Sequence, residues 1–244
     1  MWSGPRNIST AMMRAWENRE DTAVVDEPFY AHYLAATGVE HAGREAVLAS
    51  QSTDPAEVAA MLTGPIPGGK RIWYQKHMTQ HMLSGTPLDW LDEVTNCFLI
   101  RDPERVAASF TLQRPDAAAW ELGFEQQARL FDHVCDRLGH APPVIDATDV
   151  LKDPRRTLST LCAVLDIPFS ERMLHWPAGR RESDGVWAPH WYAAVERSTG
   201  FAPFRPRQDS LTPFQQKLAD ACRPHYERLA PHALQVARPG SIRA

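Results

Sequence analysis

The sequence lacks several features that would settle a class quickly. No apolar run approaches the roughly 18 residues needed to span a bilayer, and no basic-then-apolar stretch opens the chain as a secretory signal would. The four cysteines, Cys97, Cys135, Cys162 and Cys222, form no CxxC pair. Two of them sit in the apolar runs NCFLI and LCAVL, which fits reduced, buried thiols in a cytoplasmic protein and argues against a disulfide or metal framework. Positive charge is not in excess: 26 Lys and Arg against 30 Asp and Glu give a formal net charge of −4. A general nucleic-acid or anionic-membrane surface is therefore not expected, although local basic pockets remain open to it. No repeat or low-complexity segment is present. What remains is a chain of 244 residues, 43% hydrophobic and 23% charged, the composition of a soluble globular protein large enough to bury a core.

Short β-branched or apolar runs alternate with amphipathic ones. Residues 22–27 (TAVVDE), 70–76 (KRIWYQK, after the turn-like PIPGG), 95–101 (TNCFLIR) and 142–147 (PPVIDA) read as strands. The continuous apolar centre of the third is typical of a buried parallel strand. Residues 9–19, 103–112, 116–138, 154–165 and 212–229 read as helices, the second with proline at a first helical position. This alternation predicts an α/β fold of three layers, a parallel sheet flanked by helices. The whole of 1–244 is expected to be one domain. Residues 176–208, rich in Pro, Gly and Arg, would form a long functional loop, and 209–244 a C-terminal helix and tail.

The stretch SGPRNIST, residues 3–10, brings a Gly-Pro turn, a positive charge and several side-chain donors to a predicted helix start. Such a terminus offers free backbone N–H groups and a positive dipole end to an anion. An ordinary capped helix would also explain it. The Walker pattern GxxxxGK[ST] is not met, because no Gly-Lys pair precedes Ser9 and Thr10. A second element follows the strand TNCFLIR. Arg101 ends that strand and Ser109 lies two turns into the next helix, so both can reach the carboxyl edge of the sheet, where open α/β folds bind ligands.

These two stretches together resemble the sulfotransferase family, which uses 3′-phosphoadenosine 5′-phosphosulfate (PAPS). RNIST, residues 6–10, is similar to the family's 5′-phosphosulfate loop, with Arg6 in the basic place. Arg101 and Ser109 match its 3′-phosphate motif in identity and spacing. Residues 144–168 look like the family's strand, acidic turn and following helix, with Asp149 as a structural, capping residue. Residues 179–191 (GRRESDGVWAPHW) look like a divergent form of the loop that closes over the nucleotide, with Arg180-Arg181 in place of the usual Arg-Lys-Gly. Ile8 stands where the family commonly has glycine, and a branched side chain disfavours positive φ.

The resemblance implies a P-loop-type fold and transfer of a sulfuryl group from PAPS to a hydroxyl or amine of a small-molecule acceptor. Arg6, Asn7, Ser9, Thr10, Arg101, Ser109, Arg180 and Arg181 would hold the nucleotide, and Arg6 would neutralise the charge that builds at the leaving oxygen. No metal is needed if side chains supply this charge. The acceptor needs a base, for which Glu27, His77 and His81 are the candidates, Glu27 first. Lys76 would assist at the sulfuryl group, and Asp26 is expected on the opposite side of its strand from Glu27. Phe29, Tyr30, Tyr33, Trp90 and Trp120 are candidates for an acceptor pocket, and Trp187 or Trp191 for stacking on adenine. Two other readings stand beside this one: a non-catalytic sulfotransferase-like domain with a nucleotide-binding or regulatory role, and a P-loop small-molecule kinase. Only Met1 and Trp2 precede Ser3, too little for an ordinary strand at about 3.3 Å per residue. The true start is therefore expected to lie upstream, or the first strand to be truncated; if the chain begins here, the sheet is expected to show an unfilled central slot or a closed gap, with poor binding.

Overall fold

The computed structural model describes residues 1–206 and 210–235; the ends of the predicted long loop and of the C-terminal tail lie outside the described residues. The strands are β1 (Trp2–Ser3), β2 (Thr22–Asp26), β3 (Ile72–Met78), β4 (Phe98–Ile100) and β5 (Val144–Asp146). The helices are α1 (Ser9–Glu17), α2 (Tyr30–Thr37), α3 (Arg44–Ser50), α4 (Pro55–Leu62), α5 (Pro103–Phe110), α6 (Phe124–Leu138), α7 (Ala147–Lys152), α8 (Pro154–Val164), α9 (Ala188–Trp191), α10 (Ala193–Glu196) and α11 (Pro213–Leu229). The strands pair in parallel in the order β2-β3-β1-β4-β5. All carboxyl ends therefore open on one edge, and the chain's winding changes direction at β1, flanked by β3 and β4.

Alternation along the strands divides the core between the two faces of the sheet. Phe98, Ile100 and Val144 pack with Leu130, Phe131 and Val134 of α6 on one face. Leu99 and Ile145 pack with Met12, Met13 and Trp16 of α1 and Leu158 and Leu161 of α8 on the other. Helix, sheet and helix form the three expected layers.

The short first strand is real. Two residues suffice because each pairs on both sides, Trp2 with His77 and Phe98, and Ser3 with Met78 and Leu99. The Met1 carbonyl accepts a further bond from the His77 N–H at 3.0 Å, and Trp2 is buried with its indole N–H on Asn96 Oδ1 at 2.8 Å. Beyond Met1 the sheet holds a cavity of about 440 Å³, walled by residues 72–75 of β3 and 94–97 ahead of β4.

The predicted helix over 116–138 is divided. A turn over Ala119–Leu122 ends at Gly123, and α6 begins after it. Gly123 has φ 72°, and a Cβ there would lie 2.5 Å from Thr79 Oγ1, so glycine is required and helical backbone cannot run through it. Asp149 is not the cap it was expected to be. Asp146 caps α7, accepting from the Thr148 N–H at 2.6 Å, and Asp153 caps α8, accepting from the Arg156 N–H at 3.0 Å. Among the described residues, no helix is long and apolar enough to cross a membrane.

Candidate active site

A cavity of about 350 Å³ opens at the carboxyl edge of the sheet, and both stretches expected to bind anions reach it. Residues 4–8 leave β1 in a tight turn. Gly4 lies so close to the Leu122 carbonyl that a Cβ would be 2.6 Å from its oxygen. Arg6 and Ile8 then take positive φ, 57° and 52°. Ile8 therefore adopts the left-handed backbone that its branched side chain disfavours, a strained conformation held by the surrounding packing. The result is that α1 begins facing the cavity with no side chain capping its first turn, leaving N–H groups and the dipole's positive end toward it.

The loop is tied to the second motif. Arg6 Nε donates to Ser109 Oγ at 2.9 Å, and Arg101 donates through Nη1 to the carbonyl of Arg6. Arg6, Ser9, Thr10, Arg101 and Ser109 all line the cavity. Burial, then the charges of Arg105 and Arg6, push the Arg101 pKa down, only partly offset by Asp146 and Asp102. A bound anion would relieve that repulsion. Asn7 also borders the cavity, but its amide is committed to the Leu99 carbonyl at 2.6 Å, where it pins the loop to β4.

Across the cavity, Glu27 follows β2 with φ 41°. That left-handed turn breaks the strand's alternation and corrects the expectation for Asp26. Instead of pointing apart, Asp26 and Glu27 converge on Lys76, at 2.8 and 2.5 Å from its Nζ. Tyr192, which follows α9, accepts the third Nζ bond at 2.7 Å. All three N–H donors of Lys76 are thereby used within the protein. Burial lowers the Lys76 pKa, but the two carboxylates outweigh it and bring the value up to about 12. Glu27 moves up from the ordinary carboxylate range, chiefly by burial and also by the Asp26 charge, against the pull of Lys76.

The histidines separate by strand geometry. His77 is next to Lys76 in β3 and so points the other way. It stacks on Trp2 with ring centroids 4.2 Å apart and lies outside the cavity. His81 does line the cavity, stacked 4.7 Å from Tyr30 and 4.8 Å from Tyr33. Burial pushes both well below the usual imidazole range, followed by the N-terminal ammonium for His77 and by His41 for His81.

Of the aromatic residues singled out, Tyr30, Tyr33 and Trp191 line the cavity. Phe29 and Trp90 are core, Trp120 lies outside the lining, and Trp187 is buried with its indole N–H on Tyr192 Oη at 3.1 Å. Arg180 and Arg181 are not brought to the cavity. Arg180 is exposed, and Arg181 donates to the Pro177 carbonyl at 2.7 Å. The segment around them is held against α1 and β2, where Asp184 meets the buried Arg14 at 2.6 Å and the Gly185 N–H reaches Asp26 at 3.3 Å. Sequence reasoning missed His41, Arg114 and Tyr192, which also face the cavity. They come from segments whose polar and apolar residues follow no period.

A family model described as a sulfotransferase domain matches residues 1–233. The chain belongs to the sulfotransferase domain family. Two solved sulfotransferases share the fold at low identity. The sulfotransferase domain of the Synechococcus PCC 7002 olefin synthase has a TM-score of 0.53 at 16% identity, covering 90% of this chain and 92% of that one. A sulfotransferase from Alicyclobacillus acidocaldarius has a TM-score of 0.53 at 13% identity, covering 96% and 95%. Curated relatives in Arabidopsis thaliana carry a different name. Branched-chain-amino-acid aminotransferase-like protein 2 is 34% identical over 232 residues, 95% of this chain and 41% of that protein. Branched-chain-amino-acid aminotransferase-like protein 1 is 39% identical over 202 residues, 82% of this chain and 36% of that protein. The sulfotransferase-like chain thus spans about two fifths of the length of these relatives.

Proposed function

We propose that this sulfotransferase family member transfers a sulfuryl group from PAPS to a hydroxyl or amine of a small-molecule acceptor. The observation that carries the reading is the meeting of Arg6 with Ser109 at 2.9 Å, far apart in sequence, in a cavity that also holds Glu27. Arg6, Ser9, Thr10 and the start of α1 form the half suited to the phosphosulfate. Arg101 and Ser109 form the half suited to the 3′-phosphate, and Tyr30, Tyr33, His81 and Trp191 line the side left for the acceptor.

The chemistry asked of these residues is positioning and charge stabilisation. Glu27 takes the proton of the acceptor O–H or N–H as that atom bonds to sulfur. Arg6 meets the negative charge on the bridging oxygen as the old S–O bond breaks and adenosine 3′,5′-bisphosphate leaves with the electron pair. An always-charged guanidinium stabilises this oxygen without giving it a proton.

Incubation with labelled PAPS and a panel of sugars, lipids, phenols and amines should yield labelled product from at least one acceptor class. The same panel with Arg6→Ala should yield little, because the leaving oxygen loses its counter-charge. Transfer at the same rate by wild type and Arg6→Ala would remove Arg6 from the chemistry. No transfer to any class, in protein shown to bind the nucleotide, would favour a non-catalytic role.

A further inference from the structure

The two adjacent carboxylates have unequal surroundings. Asp26 accepts from Lys76 at 2.8 Å through Oδ1, and from the Tyr192 hydroxyl at 2.6 Å and the Gly185 N–H at 3.3 Å through Oδ2. Its side chain is 1% exposed and is absent from the cavity wall. Glu27 accepts from Lys76 at 2.5 Å and distantly from Tyr192 at 3.4 Å, both at Oε1. Its side chain is 11% exposed and forms part of the cavity wall. One cation thus faces two anions in a buried cluster, and the donors are concentrated on the carboxylate that the cavity does not reach.

We propose that Asp26 is a positioning residue that takes up the charge of Lys76, fastened by Tyr192 and the Gly185 N–H, so that Glu27 alone is left to exchange a proton with the cavity. Resting on the sulfotransferase reading for its use, this arrangement explains why the segment around Gly185 and Tyr192 folds back on β2. It holds the catalytic carboxylate's neighbour from behind. The groups that face Glu27 are Lys76 of β3, Asp26 of β2, Tyr30 of α2 and Tyr192 after α9, with Arg6 and His81 across the cavity. Three donors on an anion favour its ionised form, whereas burial with few donors favours the protonated one. The elevated Glu27 pKa agrees with this division.

The test is a carbon-13 titration of Asp and Glu carboxyls in the full protein without nucleotide or acceptor, with Glu27→Gln and Asp26→Asn assigning the two signals. In wild type, Glu27 should titrate above the ordinary 4.5. In Asp26→Asn, Glu27 becomes the only anion on Lys76 and should drop by about one pH unit or more. Asp26→Ser likewise removes the competing anion from Lys76 and should lower the Glu27 titration, giving a second variant if Asp26→Asn does not fold. A Glu27 titration that stays unmoved in the folded Asp26 variant would overturn the proposal. A purely structural Asp26 would alter thermal stability and leave the Glu27 titration in place. Because no transfer is measured, failure here leaves the sulfotransferase reading standing, and failed transfer leaves this electrostatic arrangement standing.

Discussion

Replacing Glu27 by glutamine is expected to slow transfer by about 100- to 10,000-fold, the usual contribution of a positioned base, while nucleotide binding is kept. The amide preserves the shape and still accepts from Lys76, so the loss isolates the missing proton acceptor. The pH dependence carries the same signature. Glu27 must be ionised to accept a proton, and burial, with the Asp26 charge, lifts its pKa above the ordinary 4.5. The wild-type rate should therefore fall as pH drops through that raised value, and the glutamine variant should lack this limb. Rates measured across pH with a saturating acceptor decide the matter. A variant that keeps most of its activity would move the base elsewhere, and His81 is the next candidate that the cavity reaches.

Arg101→Ala is expected to weaken binding of adenosine 3′,5′-bisphosphate by about 30- to several-thousand-fold, the 2–5 kcal/mol of a lost charge-paired contact. Arg101 also donates to the carbonyl of Arg6, so its loss loosens the loop as well as removing a charge. The fold should survive, because Arg101 stands at the cavity rather than in either apolar cluster. Titration calorimetry on the folded variant reads the change directly. Binding that matches wild type would place the 3′-phosphate elsewhere.

Much of the architecture is readable from the sequence because period and chemistry agree locally. The strand pattern of residues 95–101 and the amphipathic stretch at 154–165 locate β4 and α8 within a few residues, and the Arg101 to Ser109 spacing puts both at the same edge. The misreadings have specific causes. Gly123 interrupts a helical pattern because it takes φ 72° where it packs against Thr79, a tertiary fact. Strand alternation turns Asp26 away from Glu27, and it fails here because Glu27 itself leaves the strand at φ 41°. The same alternation holds one strand over, and there it separates Lys76 from His77. Both are candidates on residue type alone, yet only one of two neighbours in a strand can face the cavity. Tyr192 is out of reach of the sequence because its role depends on how an irregular segment folds back on β2.

The central claim is that the two motifs form one site for a nucleotide carrying a 3′-phosphate. Calorimetry of the wild-type chain with adenosine 3′,5′-bisphosphate and with ATP, under the same salt, tests it most directly. The bisphosphate is expected to bind at a single site and ATP far more weakly, because a triphosphate brings no 3′-phosphate to Arg101 and Ser109. Equal or tighter binding of ATP, or no heat with either nucleotide, would contradict the account.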